Sequence, residues 1–138
     1  MMKLLDTSVI VDIDRGGVQR RVTQLDKEDK HAISVVTITE LRLGVNKRYE
    51  VGSSTYDQAI EDLDRLLGRF KVLPIERSIG TEAANIISNL QTDGSMLNDL
   101  HDIYIAATAR SEHLPVLTAN VDHFERIDNI TVIDWTEY

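Results

Sequence analysis

Five acidic residues stand where carboxylates from distant parts of the chain can meet: Asp6, Glu40, Asp99, Asp102 and Asp122. Asp6 comes straight out of the apolar run Leu4-Leu5 and is followed by Thr7-Ser8. Glu40 closes Thr37-Ile38-Thr39-Glu40, shortly after Ala32-Ile33-Ser34-Val35-Val36. Asp99 and Asp102 precede the small-residue stretch Ala106-Ala107-Thr108-Ala109, and Asp122 lies just past Val116-Leu117-Thr118. Carboxylates massed in a crevice repel one another and resist ionisation unless a cation compensates them. Oxygen donors of this kind suit Mg²⁺ or Mn²⁺, which keep several waters and bind phosphate oxygens. The reaction such a cluster supports is phosphodiester hydrolysis, in which the ions activate water, polarise the phosphoryl group and stabilise the leaving oxygen.

For these acids to meet, the elements carrying them must share an edge. Apolar runs at 3–5, 32–36, 70–73, 115–117 and 130–133 have the continuous character of strands buried on both faces. Between them, 56–67 presents Ala59, Ile60, Leu63, Leu66 and Leu67 on one helical stripe, and 78–90 repeats the pattern with Ile79, Ala83, Ile86, Ile87 and Leu90. Gly68 and Gly94 follow helices, Pro115 precedes the fourth strand, and 51–55 reads as a loop. This alternation predicts a three-layer α/β/α sandwich around a mostly parallel sheet of about five strands. Asp6, Glu40, Asp102 and the segment after the fourth strand then fall at the carboxyl edge, where open parallel sheets bind ligands. Glu40 is expected in the first turn of its helix.

The gross composition narrows the options. A chain of 138 residues with 42% hydrophobic residues and no internal repeat is expected to fold as one domain over 1–138. Cysteine is absent, which excludes disulfides, zinc–thiolate sites and cysteine nucleophiles. No apolar run approaches a membrane span and no cleavable leader stands at 1–8, so a cytoplasmic location is expected. The net charge of -8 runs against handling nucleic acid, because phosphate contacts call for a basic surface. Gathering the five acids around divalent ions would localise more than half of that excess and reverse its sign at the site.

Each residue also has a purely structural reading. Thr37-x-x-Glu40 has the form of a capping box, and Ser8, Asp99 and Asn120 are ordinary helix N-cap residues. Capping does not explain why acids follow three or four strands at one edge. His31, His101, His113 and His123 show no metal-ligand spacing and are assigned no catalytic role, with His101 expected to face solvent. Arg42 is placed to meet a phosphate, although a solvated arginine is the commoner outcome. Arg15, Arg20, Arg21, Lys47, Arg48 and Arg110 read as basic rims or hydrated faces, and Trp135 and Phe124 as packing anchors.

Four blocks taken in order resemble the PIN-domain nucleases, and within them the VapC-type toxins of type II toxin–antitoxin pairs. They are Leu4-Leu5-Asp6-Thr7-Ser8, Ile38-Thr39-Glu40-Leu41-Arg42-Leu43-Gly44, Asp102-Ile103-Tyr104-Ile105-Ala106-Ala107-Thr108-Ala109 and Leu117-Thr118-Ala119-Asn120-Val121-Asp122-His123-Phe124. The resemblance covers nearly the whole chain and implies a Mg²⁺- or Mn²⁺-dependent endoribonuclease that dimerises and is neutralised by a small VapB-type antitoxin. It makes Asp6, Glu40 and Asp102 the catalytic, metal-binding acids and Ser8 a hydroxyl that supports the first of them; the positions of the residues add Asp122 and Asp99 as further candidate ligands and Asn120 and Arg42 in support. Many relatives carry Asp where this chain has Asn120, which leaves one or two ions open. Two other nucleic-acid roles stay open: RNA processing outside a toxin system, and a catalytically silent module binding RNA or a partner. A phosphoacceptor receiver domain would need a lysine after the last strand and an aspartate after the middle one. Here Pro74-Ile75-Glu76 and Thr118-Ala119-Asn120 stand in the corresponding places.

Overall fold

The strand order of the sheet, β3-β2-β1-β4-β5 with every pairing parallel, determines where the site can lie. The structure is a computed structural model, and it describes residues 1–94 and 99–138. The strands are β1 Leu4–Leu5, β2 Ala32–Ser34, β3 Lys71–Leu73, β4 Val116–Thr118 and β5 Val132–Asp134. The helices are α1 Thr7–Arg15, α2 Gln19–Glu28, α3 Val35–Arg48, α4 Ser54–Leu67, α5 Arg77–Thr92 and α6 Leu100–Glu112. The chain builds outward from β1 through β2 to β3, then returns to place β4 on the other flank of β1. That reversal is the topological switch point of a doubly wound sheet, and the crevice opens above it.

Successive residues of a strand face opposite sides, and the two cores follow from this alternation. Leu4, Ala32 and Val116 face α5 and α6, where they meet Ile79, Ile86, Leu90, Ile103 and Ala106. Leu5, Ile33 and Leu117 face the opposite way onto Val9, Ile10, Leu25, Leu63, Leu67 and Trp135. The expected three-layer α/β/α arrangement is therefore present, with five strands. In α6 the small residues let the helix sink until Ile103 and residues 105–109 are all buried. Phe124 and Trp135 are completely buried, which makes both packing anchors. No helix among the described residues is long and apolar enough to cross a membrane.

Three local expectations are corrected. The second strand ends at Ser34, not Val36, because the Ser34 hydroxyl accepts the Val36 N–H and starts α3 there. Glu40 consequently lies in the second turn of α3, and Thr37-x-x-Glu40 is not its capping box. The loop at 51–55 is shorter than its composition suggests, since Ser53 caps α4 by accepting the Tyr56 N–H. One element was not expected at all: α2 buries only Val22 and Leu25, too thin a stripe to stand out in a polar segment.

Candidate active site

Asp6 follows β1 without an intervening residue, and its N–H donates to the Leu117 carbonyl of β4 at 2.9 Å. The backbone bearing this carboxylate is thus part of the sheet ladder, and the residue is only 4% exposed. Burying an anion requires hydrogen-bond donors. Two hydroxyls supply them, Ser8 Oγ at 2.8 Å and Thr118 Oγ1 at 2.9 Å, both donating to Oδ2 of Asp6. Ser8 Oγ in turn accepts the Ala119 N–H at 3.1 Å, and Thr118 Oγ1 accepts the Asn120 N–H at 2.9 Å. Ser8 sits inside α1 and does not cap it; Asp6 occupies the cap position, without a side-chain cap bond.

Glu40 reaches the same place from α3. Thr7 Oγ1 donates to its Oε1 at 2.7 Å, and Thr37, fully buried, shares a hydroxyl contact of 3.0 Å with Thr7. Asp102 arrives from the first turn of α6, where Asp99 caps the helix by accepting the His101 N–H at 2.8 Å. A cleft of about 410 Å³ is lined by Asp6, Glu40, Asp99 and Asp102 together with Ser8, Asp12, Asn120 and His123. The sequence-predicted acids thus come together from three separate elements at the carboxyl edge of the sheet. Asp122 does not join them: it is exposed on the 3-10 turn Val121–His123 and does not line the cleft. Asn120 does line it, at the start of that turn, and its side chain makes no cap bond. Arg42 is half-buried on α3 outside the cleft, and no Lys or Arg lines the cleft among the described residues.

Beyond the hydroxyls of Thr7 and Thr118, Asp12 and His123 in the cleft escaped sequence reasoning, and His101 beside it was misjudged. Asp12, one turn beyond Ser8 on α1, lines it and accepts the indole N–H of Trp135 at 3.1 Å. His123 Nδ1 lies 3.0 Å from Oδ2 of Asp102. His101 Nδ1 lies 3.4 Å from Oε2 of Glu40 and 3.3 Å from Oδ1 of Asp99, so His101 belongs to the acidic group and does not merely face solvent. Each contact crosses between elements or reverses within a helix turn, and no fixed spacing along the chain encodes it.

The electrostatics follow from this packing. Burial first, and then the nearby charges of Asp6 and Asp99, push the Asp102 carboxyl up to about 6 against the opposing pull of His123. An acid destabilised in this way is short of positive charge. Among the described residues no three His, Asp or Glu side chains are grouped closely enough to hold a metal ion on their own. The donor set fits a hard divalent ion all the same, because Mg²⁺ retains waters and needs only one or two carboxylates beside substrate phosphates. A larger groove of about 630 Å³ lies toward the other end of α6, but its charges are already matched, Arg110 pairing with Glu82. It offers no comparable concentration of uncompensated acid.

Comparison with known proteins agrees with this architecture. Ribonuclease VapC1 of Haemophilus influenzae strain R2866 is 29% identical over 99% of this chain and 100% of its own length. The solved structure of VapBC-1 from nontypeable Haemophilus influenzae superposes with a TM-score of 0.83 at 27% identity, covering 99% of both chains. VapBC-5 of Mycobacterium tuberculosis, a member of the VapBC family of toxin–antitoxin systems, gives a TM-score of 0.70 at 28% identity over 96% of this chain and 98% of its own. The PIN domain family matches residues 3–130, and the chain belongs to that family.

Proposed function

We propose that this protein is a Mg²⁺-dependent endoribonuclease, with Mn²⁺ as a substitute, and that it acts as the toxin of a toxin–antitoxin pair. The observation that carries the reading is the meeting of Asp6, Glu40 and Asp102 in one cleft above the switch point. The family and the names of its relatives, ribonucleases and toxin–antitoxin complexes, point the same way.

Asp6, Glu40 and Asp102 would hold the ion, with Asp99 at the outer edge. When bound, a divalent ion lowers the pKa of water, polarises the phosphodiester and offsets charge on the departing oxygen. The remaining work belongs to the chain. Ser8 and Thr118 hold Oδ2 of Asp6 and so fix which carboxylate face meets the cleft. Thr7 does the same for Glu40 through Oε1. Asn120, a neutral amide where many relatives have Asp, is placed to donate or accept a hydrogen bond at the rim and adds no fourth charge. With no lysine or arginine on the cleft wall among the described residues, attraction of RNA phosphate depends on the bound cation, which reconciles the acidic total with a nucleic-acid substrate.

A small VapB-type antitoxin as partner, a homodimer as the working unit and a cytoplasmic site of action complete the proposal. The decisive experiment is cleavage of RNA by the purified protein with and without Mg²⁺. Activity should require the ion and disappear in Asp6→Asn with the fold retained. Mg²⁺-dependent cutting that persists in a pure preparation of that variant refutes the assignment. Co-expression with a small neighbouring-gene product should restore growth that the protein alone arrests.

A further inference from the structure

The three acids share a pattern. Asp6 gives Oδ2 to Ser8 and Thr118, Glu40 gives Oε1 to Thr7, and Asp102 places Oδ2 3.0 Å from Nδ1 of His123. In each case a donor from a different position in the fold engages one carboxylate oxygen. Oδ1 of Asp6 and Oδ1 of Asp102 make no hydrogen bond among the described residues. A carboxylate pinned through one oxygen presents the other in a fixed direction, which is how outer groups orient metal ligands and tune their affinity.

We infer that His123 is the positioning residue of Asp102, its Nδ1–H holding Oδ2 so that Oδ1 is presented to the cleft. The inference rests on the reading of Asp102 as an ion ligand. Asp102 leaves the first turn of α6 with no hydroxyl hydrogen-bonded to it among the described residues, unlike Asp6 with Ser8. Its side chain is only 15% exposed, whereas the imidazole is 51% exposed and reaches it from the 3-10 turn after β4. The segment leaving β4 therefore contributes to the cleft through an imidazole donor and a neutral amide, and Asp122 points its charge elsewhere. On this reading the segment serves the cleft by orienting Asp102 and supplies no fourth acid.

Two measurements on the full chain test this. In metal-free wild-type protein at pH 8, long-range ¹H–¹⁵N spectra should show His123 as the Nδ1–H tautomer. The Nε2–H tautomer there would overturn the inference whatever the fate of the ion reading. Mn²⁺ titrations followed by electron paramagnetic resonance should then show His123→Ala binding about 10- to 100-fold more weakly than wild type. His123→Asn, whose amide N–H falls near the place of Nδ1–H, should recover most of that affinity, with thermal melts alike in all three proteins. Equal affinity of His123→Ala and wild type, or failure of His123→Asn to improve on His123→Ala, would disprove the positioning role. Wild-type protein that binds no Mn²⁺ refutes the ion reading itself, and with it the role assigned to His123 in serving an ion.

Discussion

Thr118 Oγ1 donates to Oδ2 of Asp6 at 2.9 Å and ties the exit of β4 to the exit of β1 across the point where the sheet changes direction. Because both residues are buried, Thr118→Val leaves a buried carboxylate short of one donor and strands the Asn120 N–H. The expected loss is about 1–3 kcal/mol, read from urea denaturation at pH 7. An unchanged midpoint would show that the Ser8 hydroxyl alone satisfies Asp6.

Neutralising Asp6 should separate stability from activity. Asp6→Asn keeps a carbonyl oxygen for Ser8 and Thr118 while removing the charge that disfavours ionised Asp102. Metal-free Asp6→Asn should therefore melt no lower than wild type at pH 7.5, although it cuts no RNA. A sharply lowered melting temperature would mean that the charge of Asp6 holds the fold together.

Asp102 sets a pH dependence whose sign depends on the ion. Its folded pKa of about 6 lies above the ordinary value of 3.8, so the metal-free fold binds a proton that the unfolded chain has released. The contribution of Asp102 to metal-free stability is thus present below pH 3.8 and is lost as pH rises through 6. Mg²⁺ needs the ionised acid, so its stabilising effect should be large at pH 7.5 and shrink below pH 6. Melting curves with and without Mg²⁺ at pH 5, 6 and 7.5 check this; an increment equal at all three would contradict it.

His31 works in the opposite sense. It is 3% exposed, accepts the Lys3 N–H on Nδ1 at 3.0 Å, and has Nε2 3.1 Å from the Leu25 carbonyl. Burial lowers its pKa below 6.5, and Lys3 adds to that, against the pull of the Leu25 carbonyl, Glu28 and Asp29. The unfolded chain therefore takes up a proton first, and the stability His31 supplies above pH 6.5 is lost as pH falls through its lower folded value. In His31→Gln, this part of the acid slope should vanish from urea midpoints measured between pH 5 and 7.

Trp135 couples the last 3-10 turn to the cleft by donating its indole N–H to Asp12, while its ring stacks on Tyr138 at 5.8 Å and lies under the Arg21 guanidinium. Trp135→Phe keeps most of the packing and deletes the donor. A loss of about 1–3 kcal/mol is expected, together with altered Mn²⁺ affinity from the released Asp12. Unaltered stability would assign the Asp12 contact to solvent.

Much of the framework was legible because strong local signals coincide. All five strands overlap the runs read from the sequence, and α4 and α5 show stripes wide enough to recognise; their ends shifted, as at Ser34, and β3, at the sheet edge, exposes Lys71 and Val72 where burial on both faces was expected. Asp6 and Asp102 were legible because the one follows a strand and the other opens a helix, whereas Glu40 was read at the right edge but a turn too early in its helix. The strand order was not, because parallel pairing depends on crossovers that leave no mark in β1, only two residues long. Thr7, Asp12, Thr118 and His123 were missed for a similar reason: a hydroxyl or imidazole becomes part of the site only through a neighbour, as Thr118 does through Asp6, 112 positions away.

β1 is hydrogen-bonded on both flanks, to β2 and to β4, and the Asp6 amide continues that pairing. Its exchange with deuterium should accordingly need opening of the entire molecule, placing it among the slowest amides. No partial loosening can withdraw this acid from service. Under the proposed function, displacing Asp6 is therefore not a means of control open to the fold, because this acid keeps its place for as long as the chain is folded.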